Sequence, residues 1–111
     1  MEIEVDYTEP AQAGNHKFTV ETVEEIETEF GPRICLNGSL EGGDAVKMWI
    51  PKPKKMTSDR TKLAHVYDAV GLDWRDAKNI DPVEDLVGAS LEIELTYTDE
   101  NYPRLDLVRS A

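Results

Sequence analysis

The chain has 111 residues, 40 % of them hydrophobic, and a formal net charge of −11. That is one ordinary domain, apolar enough to fold, with no apolar run long enough to cross a membrane. The first residues, Met1 to Asp6, lack the basic region and apolar stretch of a secretory leader, and the single cysteine, Cys35, has no intramolecular disulfide partner, so a cytoplasm-like compartment is expected.

Residues 1–14 read as an acidic lead-in ending at Pro10 and Gly14, ahead of one domain over 15–111. From His16 the pattern turns to strand. Phe18, Val20, Val23 and Ile26 predict a long first strand whose phase slips near Thr22 or Val23, as a β-bulge would make it do. Gly31-Pro32 predicts a turn. Ile34, Leu36 and Leu40 alternate with polar residues in a second strand, with Gly38 as a weak or bent point. Asn37-Gly38 could itself be a hairpin turn, but Glu41-Gly42-Gly43-Asp44 leaves strands of better length. In the third strand Val46, Met48 and Ile50 share one side and Lys47 and Trp49 the other; Pro51 and Pro53 end it.

A helix follows, with Thr57 or Ser58 as its N-cap. Its apolar face is Leu63, Val66, Tyr67 and Val70, and Gly71 followed by Leu72 closes it. Asp81-Pro82-Val83-Glu84 predicts a short helical turn ended by Gly88, because an acid precedes a proline at the first helical position. Leu91, Ile93 and Leu95 alternate in a fourth strand, Asp99-Glu100-Asn101 turns the chain, and Leu105 and Leu107 alternate in a fifth. The order β-β-β-α-β-β predicts an all-β fold with one helix, the five-stranded Greek-key barrel of the OB fold. A sandwich would need about seven strands.

The charge is unevenly spread. Residues 47–62 hold Lys47, Lys52, Lys54, Lys55, Arg60 and Lys62 against Asp59 alone, a local +5 that leaves −16 for the rest of the −11 chain. Residues 1–30 carry nine acids and one base, Lys17. One basic face on an acidic body is expected, or else a merely solvated lysine loop. Glu24, Glu25, Glu27 and Glu29 read as a solvated edge that resists strand-to-strand aggregation.

Several stretches resemble a group of small phage-encoded OB proteins found among replication and recombination genes and regarded as single-stranded-DNA-binding-like. They are Phe30-Gly31-Pro32-Arg33-Ile34-Cys35-Leu36, the Leu40-Glu41-Gly42-Gly43 turn, Val46-Lys47-Met48-Trp49, Leu63 with Ala69-Val70-Gly71-Leu72, and Asp85-Leu86-Val87-Gly88-Ala89-Ser90-Leu91. The likeness is one of pattern and spacing over roughly residues 14–108. Pro51-Lys52-Pro53-Lys54-Lys55 and the acidic start depart from it. The resemblance implies an OB fold that binds single-stranded DNA and has no enzymatic activity.

The residues point the same way. Single-strand binders need cations for phosphates and exposed rings for bases, and OB folds place them on strands two and three. Alternation predicts Lys47 and Trp49 facing outward beside Arg33, Cys35 and Asn37. Lys52, Lys54 and Lys55 extend the basic stretch. Tyr102 and Arg104, near the fourth turn with Tyr97 and Asn101, supply a further ring and cation. Trp49 and Tyr102 could instead cover apolar surface at strand ends, and Trp74 reads as a plug for one end of the barrel. No catalytic, cofactor or metal site is expected. His16 and His65 are far apart, Cys35 has no activating neighbour in sequence, and Gly42-Gly43 lacks the lysine of a phosphate-binding loop. The expected partner is single-stranded DNA, acting with replication or recombination proteins. The alternative is an acidic protein-interaction module or nucleic-acid mimic. A homo-oligomer pairing by strand edges is a third, lesser reading.

Overall fold

A computed structural model of the chain describes residues 1–5, 11–57 and 60–108. Five strands, β1 (Gly14–Thr28), β2 (Gly31–Leu40), β3 (Ala45–Pro51), β4 (Ser90–Tyr97) and β5 (Pro103–Leu107), form one antiparallel sheet in the order β3-β2-β1-β4-β5. The two outermost strands, β3 and β5, come together across the seam, which curls the sheet into a barrel. Helix α1 (Lys62–Ala69) and the one-turn α2 (Pro82–Asp85) lie between β3 and β4. The expected all-β, OB-type order with one full helix is thus the observed one. No helix among the described residues is long and apolar enough to cross a membrane.

Alternation fills the barrel. Phe18, Val20, Leu36, Met48, Ile50, Ile93 and Leu95 are all buried in one core, with Leu63, Val66 and Tyr67 of α1 packed among them. The phase slip in β1 falls at Glu21, between the pairs Val20↔Gly38 and Thr22↔Asn37, one residue before the expected place. Opposite it, Gly38 is not merely a weak point. A Cβ there would lie 2.0 Å from the Thr19 carbonyl oxygen and 2.9 Å from the Phe18 ring, so the bent strands approach too closely for any side chain. Pairing of β1 with β4 ends at Thr19↔Ser90, and Val20 makes the last bonds on that side, to Ala89 and Gly88. Beyond it no described strand pairs with that side of β1, though α2 packs against the strand; Glu24, Glu25 and Glu27 are exposed along this unpaired edge and Glu29 in the turn that follows.

Two local expectations change. The first turn is Glu29-Phe30 rather than Gly31-Pro32, because Thr28 already pairs with Gly31 and its hydroxyl bonds both Phe30 N–H and the Gly31 carbonyl. Gly31 opens β2 at φ 107°, a conformation glycine adopts readily. The cap of α1 is Thr61, whose Oγ1 accepts from Ala64 N–H at 3.2 Å. Thr57 lies upstream in the loop, and Ser58 is outside the described residues. At the other end, Leu72 N–H bonds the Tyr67 carbonyl and Gly71 N–H that of Asp68, the double closure expected of a Gly-Leu exit. Asp81 caps α2 as expected, its Oδ1 accepting from Val83 N–H.

Candidate nucleic-acid interface

The outer face of β2 and β3 is built by register. Ile34 pairs with Ile50 and Leu36 with Met48, all buried, so the intervening residues face away from the core. Across β1, β2 and β3 this produces three outward rows: Ile26–Arg33–Pro51, Glu24–Cys35–Trp49 and Thr22–Asn37–Lys47. The structure therefore brings Arg33, Asn37, Lys47 and Trp49 onto one surface. Trp49 is 39 % exposed, neither sealed in nor free of the surface around it.

Cys35, in the middle row, is wholly buried even though its register position faces outward. Its Sγ–H points to Asn37 Oδ1 at 3.6 Å. Burial pushes the Cys35 thiol up from its ordinary range; Lys47 opposes the shift and Glu24 adds to it. The thiol is therefore a packing element of this face, in weak contact with Asn37.

Two further residues belong here that sequence reasoning did not assign to the site. Phe30, at the tip of the β1–β2 turn, is 81 % exposed, and the Arg33 guanidinium lies 5.9 Å from its ring centre. Its signal was present in an aromatic residue at a hairpin tip. Lys62 was counted only among the charges. As the first residue of α1 it reaches across to β3, and its Nζ donates to the Trp49 carbonyl at 3.1 Å. Burial lowers its pKa; Asp106 opposes that, and Arg104 and Arg33 add to it. No sequence signal shows which way a residue after a long loop will point. Lys62 thus links the outer face to β5, where Arg104 pairs with Asp106 at 3.4 Å.

Other expected site residues lie elsewhere. Lys52, Lys54 and Lys55 leave the end of β3 and line a cleft of about 590 Å³ at the end of the barrel, together with Trp74, Arg75 and Lys78. Lys52 is held there by Glu25 at 2.6 Å. Trp74 is buried in the core as the expected plug, its Nε1–H on Asp68 and the Arg75 guanidinium 4.7 Å above its ring. Tyr102 is 64 % exposed in the β4–β5 turn, where its N–H bonds Thr98 Oγ1. Tyr97 of the same pole donates its hydroxyl to the Ala11 carbonyl.

Among the described residues no group of three or more His, Cys, Asp or Glu is arranged to hold a metal ion. No protein-family model matches the chain, and no curated protein matches it significantly.

Proposed function

We propose that this chain binds single-stranded nucleic acid, with little sequence preference, as the phage-type single-stranded-DNA-binding-like proteins it resembles are regarded as doing in replication and recombination. The supporting observation is Trp49, an accessible indole on the outer face of an OB-type barrel between Arg33 and Lys47. An exposed ring offers every base the same stacking surface, worth roughly 1–3 kcal/mol, and cations beside it meet the phosphates. Glu24 ends the same row on the β1 side and repels a polyanion, so the strand follows β2 and β3 toward Lys62 and Arg104. The open acidic edge of β1 favours a second reading, contact with basic proteins, which predicts no oligonucleotide binding.

A labelled thymidine oligonucleotide titrated at low salt tests this. Saturable binding is expected, weakened by Trp49→Ala and falling about 0.7 log units per neutralised phosphate for each tenfold rise in salt. No binding at high protein concentration, or binding indifferent to Trp49, overturns it.

A further inference from the structure

The barrel-end cleft has no part in that interface. Its volume, about 590 Å³, is in the ligand-pocket range. Ile34, Leu63 and Trp74 contribute apolar lining, and Lys54, Lys55 and Lys78 contribute ammonium groups. Lys52 and Arg75 also line it, but Glu25 and Asp68 already engage them. No ion pair among the described residues engages Lys54, Lys55 or Lys78. In a chain of net charge −11, three such cations around a cleft that is partly apolar and also bordered by Asp81 suit an occupant that is both acidic and apolar.

The chain itself carries such a segment. Met1, Ile3 and Val5 alternate with Glu2 and Glu4, and Asp6 and Tyr7 continue the alternation in sequence. Extended, such a segment turns acids to one side and apolar groups to the other. Met1, Ile3 and Val5 are 113 %, 77 % and 81 % exposed, so nothing covers their apolar surface. The segment leaves the barrel at Ala11, whose N–H is held by Asp44 beside the β2–β3 turn and whose carbonyl is held by Tyr97. The cleft lies at the other pole, beside Ile34 in the first half of β2 and where β3 runs out toward Lys52.

We propose that the barrel-end cleft of one copy receives the acidic N-terminal segment of a second copy. The contact joins unlike surfaces at opposite poles, so copies associate head to tail, and the assembly grows unless the rotation between copies closes a ring. It is independent of any ligand on the outer face.

Light scattering of the full chain over a concentration series tests it. At low salt the weight-average mass is expected to rise beyond twice that of the monomer, and at high salt to return to the monomer. Lys54→Glu/Lys55→Glu/Lys78→Glu and Glu2→Lys/Glu4→Lys/Asp6→Lys should each stay monomeric. Mixing the two should restore association, because each supplies the complement of the other's reversed surface. A labelled peptide of residues 1–10 should bind the parent chain and not the cleft variant, while any oligonucleotide binding that the more acidic cleft variant keeps should still depend on Trp49. Three results overturn the proposal: a monomer at every concentration in low salt, association that survives both reversals, or a cleft variant that loses oligonucleotide binding while the peptide never binds either protein.

Discussion

The Lys62 ammonium donates to the main-chain carbonyl of Trp49, so the first residue of α1 is fastened to the strand that presents the indole. Burial and, less, two neighbouring guanidinium groups disfavour its charge, and Asp106 alone among its named neighbours favours it. A nucleic-acid phosphate arriving at this point would relieve that strain. Oligonucleotide affinity should therefore fall as pH rises through a lysine pKa below the ordinary 10.5. Lys62→Arg should keep affinity flat over the same range, because arginine stays charged. Lys62→Met should bind weakly at every pH. Anisotropy titrations across the alkaline range check this, and identical pH profiles for parent and Lys62→Arg would dismiss it.

Trp49→Ala should weaken oligonucleotide binding by about 5- to 150-fold, the equivalent of the ~1–3 kcal/mol of one stacked base. Trp49→Phe should retain part of it. The two tryptophans are separable by fluorescence quenching: Trp49 is accessible to acrylamide and Trp74 is buried. Bound oligonucleotide should protect the accessible signal alone.

Much of this face was legible in sequence because a strand has period two. Once Val46, Met48 and Ile50 are assigned inward, Lys47 and Trp49 have one place to go. The same argument failed at Lys52, Lys54 and Lys55. Past Lys52, whose N–H still bonds the Pro32 carbonyl, there is no ladder to fix direction, and a 2.6 Å ion pair of Lys52 with Glu25 helps turn the segment toward the barrel end. Lys62 was illegible for a related reason, since its position depends on how the loop after β3 returns to the barrel. The cap of α1 was misplaced because Thr57, Ser58 and Thr61 are all good capping residues, and only the docked helix selects Thr61.

Gly38→Ala should destabilise the fold at the upper end of the ~1–3 kcal/mol typical of overpacking. The atom it would strike first, at 2.0 Å, is a main-chain oxygen that cannot rotate away. Urea denaturation measures this. A loss below about 0.5 kcal/mol would mean that the β1–β2 approach is looser than it stands here.

The Tyr67 hydroxyl donates to Asp85 Oδ2 at 2.7 Å and ties α1 to α2. Burial and that hydrogen bond hold the phenol protonated well above its ordinary pKa of 10.0. Because the folded-state value is raised, the contribution is fully present below about pH 10 and is lost as pH climbs further. Tyr67→Phe should cost about 1.5–3 kcal/mol near neutrality, the range for a bond to a charged acceptor. Its stability should then decline less than the parent's above pH 10, which chemical denaturation at pH 7, 10 and 11 would reveal.

Cys35 should resist alkylation in the native state, since it is wholly buried and its thiol is pushed up. Modification should follow denaturation of the chain. Prompt labelling of native protein would show that the outer face opens.

The extra residue in β1 settles a matter of shape rather than of sidedness. Removing Glu21 would leave Phe18, Val20 and Val23 in plain alternation, each still aimed at the core. What would vanish is the local coil of that ribbon, and with it the curvature that lets the first and last members of the sheet meet. Such a deletion should yield a chain with its hydrophobic code intact and its cylinder unclosed, a lesion that no inspection of which residues are oily would disclose.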